Sequence, residues 1–184
     1  MSRTEVRIAG FGGQGVVLAG VILGTAAVIY DGKKAIQTQS YGAEARGGAA
    51  RSEVILDEGE IVYPRVRRPD ILVALSTPAL EKFIGDLKPG GTLIVDEDLV
   101  KTEDTATHKV YRAPFFTVAI KELGRSVVAN VVMLGFLTGV TGIVSREAME
   151  RAIQDTAPRG TKELNLRAFR KGLGLADASG DRRR

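Results

Sequence analysis

Apolar and polar positions along the chain alternate with two different periods, and the switches between them predict strands and helices in turn. The short run bearing Val6 and Ile8 reads as a strand, and it feeds the glycine-dense turn Gly10-Phe11-Gly12-Gly13-Gln14-Gly15. Behind it, the apolar run from Val16 to Ala27 predicts a buried helix. Asp31-Gly32-Lys33-Lys34 marks a turn, Ala35 to Gln39 a shorter strand, and Ser40 to Gly48 a polar, glycine-rich loop. Ala49 to Leu56 has the β-branched residues of a strand. With Asp57-Glu58-Gly59-Glu60 as a turn into Ile61-Val62-Tyr63, it predicts an antiparallel hairpin inserted in an otherwise parallel sheet.

Ile71 to Leu75 is continuously apolar, as a central parallel strand buried on both faces should be. Thr77 is placed to cap a helix with Pro78 at its first position; the helix runs to about Leu87, where Lys88-Pro89-Gly90-Gly91 stops it before the strand Thr92 to Val95. Val110 to Ala113 forms a last short strand, and Pro114 opens a helix through Leu123-Gly124. Asn130 to Val140 is apolar around most of its circumference, which predicts a buried or interface helix. Ser145 caps a shorter helix with Met149, Ala152 and Ile153 on one face. After Pro158-Arg159-Gly160, the last helix, Thr161 to Leu175, carries Leu166, Phe169 and Leu173 as a stripe. The pattern is α/β: a Rossmann-like three-layer fold with a mostly parallel sheet, an inserted hairpin and C-terminal helices. Residues 1–176 are expected to form a single domain and 177–184 a disordered tail.

Composition narrows the chemistry. The net charge of +4 includes Arg182, Arg183 and Arg184, leaving +1 for the rest, and no basic stretch carries interleaved aromatics, so nucleic acid is not an expected partner. The absence of cysteine excludes disulfides, thiolate zinc sites and cysteine-ligated iron–sulfur clusters on this chain. Met1 to Glu5 lacks the apolar core of a signal peptide and no uninterrupted apolar run is long enough to span a bilayer, so a cytoplasmic protein without a membrane partner is expected. Asp96-Glu97-Asp98 reads as a solvated turn and His108 as a surface histidine rather than as metal ligands. Arg65, Arg67 and Arg68 form either a solvated loop or a docking patch for phosphate or a partner.

Gly10, Gly12 and Gly15 fit GxGxxG, in which glycines allow a tight turn, close backbone approach to a ligand and close helix packing. The helix N-terminus behind them suits a phosphate. A nicotinamide dehydrogenase would need an acid near the end of the second strand, but Gln37 and Gln39 stand there, so that alternative has half of its signature. Gln14 adds a side-chain amide that donates and accepts. No nucleophile elbow, HExxH motif or Walker lysine is present, which favours a binding domain over a catalyst acting alone. A ligand-free assembly module remains the third reading.

The three segments Gly10-Phe11-Gly12-Gly13-Gln14-Gly15, Ser40-Tyr41-Gly42-Ala43-Glu44-Ala45-Arg46-Gly47-Gly48 and Asn130-Val131-Val132-Met133-Leu134-Gly135 closely resemble the gamma subunits of 2-oxoacid:ferredoxin oxidoreductases. The resemblance runs from Val6 to about Gly174, and the Tyr41-Gly42 form looks most like the 2-oxoglutarate branch, in which a proline usually stands at the position of Ala43. It implies a subunit that helps bind coenzyme A, while thiamine diphosphate, magnesium and iron–sulfur clusters sit on partner subunits and electrons pass to ferredoxin through the complex. On this resemblance Gly10, Gly12, Gly13, Gln14 and Gly15 cradle the coenzyme A pyrophosphate and Arg46 adds charge. Ser40, Tyr41, Gly42, Glu44 and Gly47 shape the loop where a partner docks. Homodimerisation of the isolated chain through its apolar helices stays open.

Overall fold

The computed structural model describes residues 3–40, 50–103 and 106–181. Six strands, β1 (Thr4–Gly10), β2 (Lys34–Ser40), β3 (Ala50–Asp57), β4 (Ile71–Ala74), β5 (Thr92–Asp96) and β6 (Lys109–Ala113), form one sheet in the order β2-β3-β1-β4-β5-β6. The pairs β1–β4, β4–β5 and β5–β6 are parallel, while β3 runs against both of its neighbours.

Side-chain alternation sorts the strands' two faces into two cores. On one face Val6, Ile8, Val54, Val73 and Ile94 meet the helices α1 (Val16–Thr25), α3 (Phe115–Lys121), α4 (Ala129–Thr141), α5 (Arg146–Thr156) and α6 (Lys162–Asp181). On the other, Ala9, Leu72, Ala74, Leu93 and Val95 meet α2 (Thr77–Phe83), which ends in a 3-10 turn over Ile84–Asp86. This is the α/β three-layer architecture that the sequence pattern predicts.

The α4–α6 crossing is unusually close. A Cβ on Gly135 would lie 2.1 Å from the Phe169 carbonyl oxygen, and one on Gly172 would lie 2.0 Å from the Val132 carbonyl oxygen. Each helix therefore presents a glycine to the other's backbone, and no side chain fits between them.

Several expectations are corrected. Ile61-Val62-Tyr63 is not a strand, because both edges of β3 are already taken by β1 and β2; Val62 is 86% exposed. The antiparallel strand is β3 itself, which pairs with β1 on one side and β2 on the other and so separates them. Ser76 rather than Thr77 caps α2, its hydroxyl accepting from the Ala79 N–H at 3.3 Å. Asp96 is not solvated but fully buried. Helix α6 continues to Asp181, and an Arg146–Asp177 ion pair at 2.8 Å joins it to α5, so the disorder expected from residue 177 does not begin there. Finally, α1 is not buried all round: one side of it faces solvent.

Candidate functional site

The glycine turn leaves β1 at the carboxyl end of the parallel strands, beside β4, where the connections on either side of β1 diverge in opposite directions across the sheet. Open α/β sheets bind their ligands at such a switch point. The turn is closed by the Gln14 N–H donating to the Phe11 carbonyl at 3.2 Å, and Gly13 within it has φ +89°. Gly15, at φ +72°, is the N-cap of α1 and supplies no side-chain cap. An L side chain would be strained at both positions.

Two side chains hold this turn from below. The Gln14 Oε1 accepts from the Phe11 N–H at 2.6 Å, and its Nε2 donates to the Leu75 carbonyl at 3.0 Å, so one amide ties the turn to itself and to the end of β4. It passes over Gly10 so tightly that a Cβ there would be 2.3 Å from Oε1. Gly10 and Gln14 thus form the support of the turn, with the Gln14 amide directed into the protein. From α4, the Asn130 Nδ2 donates to the Gly15 carbonyl at 3.3 Å, and a Cβ on Gly15 would come within 2.5 Å of that nitrogen. Asn130 is a buried polar residue in a mostly apolar helix, and the first and third of the segments singled out in the sequence meet at this bond. Sequence reasoning gave Asn130 no role. Its signal was available, since a polar side chain on a helix apolar nearly all round must find a partner.

Gly12 and Gly13 are exposed. The N–H groups of Gly12, Gly13 and Gly15 have no hydrogen-bond partner among the described residues. The first turn of α1 adds its own orphan donors and a partial positive charge of roughly half an elementary unit. Main-chain donors at a helix N-terminus are complementary to a phosphate or pyrophosphate.

The flanks are set by strand register. Gly10 pairs with Ala50 and Ser40 with Arg51, so the segment between β2 and β3 starts and ends at the same edge of the sheet as the turn. Ser40 closes β2 there. Tyr41, Gly42, Glu44, Arg46 and Gly47 lie outside the described residues. Gln37 turns its amide to the Ser52 hydroxyl at 2.8 Å, and Gly20 of α1 lies against the same hydroxyl, a Cβ there falling 2.0 Å away. The strand beside β1 is β3, not β2. The position where a dinucleotide enzyme carries its ribose-binding acid is consequently displaced by one strand, about 5 Å, from the glycine turn.

The remaining candidates resolve into structure. Asp96 Oδ1 accepts from the N–H groups of Asp98 at 3.1 Å and Leu99 at 3.2 Å, and Oδ2 from Phe116 at 2.9 Å. Burial raises its pKa above the ordinary carboxylate value, opposed by those three bonds. Among the described residues no group of three or more metal-ligating side chains converges. Arg65, Arg67 and Arg68 fall in the segment leading into β4, at the opposite end of the sheet; Arg67 stacks on Tyr63 and donates to its hydroxyl at 3.0 Å. No helix among the described residues is long and apolar enough to cross a membrane.

The chain is similar to known proteins over nearly its whole length. Residues 5–175 match the family model described as pyruvate ferredoxin/flavodoxin oxidoreductase. A 2-oxoglutarate synthase subunit, KorC, of Methanocaldococcus jannaschii is 54% identical over 95% of this chain and 94% of its own. The keto/oxoacid ferredoxin oxidoreductase gamma subunit of Geobacter sulfurreducens superposes with a TM-score of 0.86 at 45% identity, over 95% of this chain and 99% of that one. The 2-oxoglutarate:ferredoxin oxidoreductase of Magnetococcus marinus, solved with 2-oxoglutarate, coenzyme A and succinyl-CoA bound, superposes with a TM-score of 0.83 at 25% identity; the match covers 97% of this chain but 32% of that one.

Proposed function

Because the chain belongs to the pyruvate ferredoxin/flavodoxin oxidoreductase family, we propose that it is the gamma subunit of a 2-oxoglutarate:ferredoxin oxidoreductase and binds the pyrophosphate of coenzyme A at the Gly12–Gly15 turn. The observation that carries this reading is the set of N–H groups at exposed Gly12 and Gly13 and half-buried Gly15, without a hydrogen-bond partner among the described residues, in a turn held from behind by Gln14 and Asn130. The 54% identity to a 2-oxoglutarate synthase subunit supports the choice of oxoacid.

The complex converts a 2-oxoacid, coenzyme A and two oxidised ferredoxins into an acyl-CoA, carbon dioxide and two reduced ferredoxins, with release of a proton. Thiamine diphosphate supplies the decarboxylation chemistry when bound. With no cysteine to ligate a cluster and no convergent acidic set for magnesium among the described residues, this chain's residues do not fit those groups, and they are assigned to partner subunits. This chain's part is to hold the acyl acceptor: main-chain donors and the α1 dipole fix the pyrophosphate, leaving the thiol arm to reach the partner. Arg46 adds charge, and Ser40 with the segment that follows it shapes the partner's seat.

The test is coenzyme A calorimetry on the assembled complex. A Cβ at Gly12 meets nothing within 4 Å, so Gly12→Ala and Gly12→Asp should leave folding intact. Ala should weaken binding a fewfold by intruding on the ligand's space, and Asp by tenfold or more through charge repulsion. Wild-type affinity in the Asp variant would end the reading.

A further inference from the structure

Helix α1 and its continuation break the usual rule for a surface helix. From Val16 to Tyr30 there is no charged residue, yet Leu18, Val21 and Val28 are each 40–43% exposed and Ile29 is 64% exposed. Their spacing puts them along one side, starting one turn from the glycine cap. A helix apolar all round belongs in an interior, and here one side has no cover. Beside it lies β2, an edge strand whose single charge, Lys34, stands at its first residue; the rest of the strand, Ala35 to Ser40, has neither a charge nor a proline, the common devices that keep a free edge from pairing. Val21, Gly24, Val28, Ile29, Ala35 and Gln37 line a shallow groove of about 310 Å³ between the two.

We propose that this groove is the seat of another polypeptide of the same oxidoreductase complex, which lays an uncharged, apolar segment along α1 and against the β2 edge. The choice of occupant comes from the related enzyme of Magnetococcus marinus. There a unit like this chain makes up 32% of a longer polypeptide, so the surroundings of such a unit include a large further body of the same enzyme. The stripe also starts next to the glycine turn, so the polypeptide that covers it borders that turn. The proposal needs the family membership only; failure of coenzyme A binding at Gly12 would leave it standing.

The experiment uses the complex co-produced from all its subunits, and the isolated chain beside it. The double variant Val21→Glu, Ile29→Glu places charge in the groove, and Arg159→Glu, Lys162→Glu serves as a control at the exposed connection between α5 and α6. The expected result is at least a tenfold drop in recovery of the Val21/Ile29 variant in the complex, with normal recovery of the control and an unchanged melting curve for each isolated variant. Amide exchange over residues 18–29 and 35–39 should slow on assembly of the wild type. Full incorporation of the Val21/Ile29 variant overturns the proposal. So does an isolated wild-type dimer that the variant splits while the complex still assembles, because a second copy is then the cover. Should the variant unfold, the exchange measurement decides: unchanged exchange over residues 18–29 on assembly overturns the proposal.

Discussion

Replacing Gln14 by Leu separates a ligand-binding amide from a supporting one. The substitution removes two hydrogen bonds, to the Phe11 N–H at 2.6 Å and to the Leu75 carbonyl at 3.0 Å. Phe11 is exposed and its N–H recovers water, so that loss is about 0.5 kcal/mol, the lower end for a neutral bond. Leu75 is fully buried. Its carbonyl loses a partner in a dry site, which costs about 1–2 kcal/mol. The sum, about 2 kcal/mol, corresponds to a melting point lower by about 4–8 °C in a domain of this size. Thermal unfolding of the isolated chain reads the stability, and calorimetry of the assembled complex reads coenzyme A affinity. Gln14→Leu is expected to lower stability by that amount and affinity by a smaller factor than Gly12→Asp does. A variant as stable as the wild type that has lost coenzyme A binding would refute this reasoning and make the amide a direct ligand group.

Further outcomes follow from other parts of the fold. Gly135→Ala should destabilise the chain by more than 3 kcal/mol, or prevent folding, because backbone rather than a movable side chain occupies the space; a soluble, cooperatively melting Ala variant would contradict the α4–α6 geometry. Arg7 is 3% exposed and donates to Glu53 at 2.7 Å while also meeting Asp86 and the Phe83 ring, so Glu53→Ala should cost about 3 kcal/mol in denaturant unfolding, against near-zero change for exposed Glu81→Ala. Asp96 has a folded pKa above its unfolded one, so it holds its proton more tightly in the native state, and its contribution to stability falls as pH rises through the raised value. The stability gap between wild type and Asp96→Asn should therefore be widest below the ordinary carboxylate pKa and narrow toward neutrality; a gap independent of pH would count against the raised value.

The strands that carry continuous apolar runs, such as Ile71 to Ala74, were legible because burial on both faces leaves only one pattern. The partner of β3 was not, since pairing depends on which edges are free, and no local signal reveals that β2 and β1 flank it. The glycine turn was legible as a strand-to-helix turn, but the roles of the side chains within it were not. Gln14 looked like a ligand group because its amide can donate and accept; the structure gives both functions to Phe11 and Leu75, the latter 61 residues away. Asn130 is similar, its partner being a backbone carbonyl 115 positions back. The tight fit of Gly20 on Ser52 and of Gly135 on α6 also depends on distant partners. The apolar excess of α1 was read as burial all round, whereas Leu18, Val21, Val28 and Ile29 are exposed; which side of the helix the core covers depends on packing that the local pattern does not carry.

The most direct measurement is a comparison of ligands that differ in one group, titrated into the complex carrying wild-type Gly12 or Gly12→Asp. Dephospho-coenzyme A keeps the pyrophosphate, whereas pantetheine lacks it. If main-chain donors at residues 12–15 hold the pyrophosphate, the substitution will weaken coenzyme A and dephospho-coenzyme A by a similar factor, tenfold or more, and leave pantetheine binding unchanged. An equal loss for pantetheine, or no loss for dephospho-coenzyme A, would contradict that account.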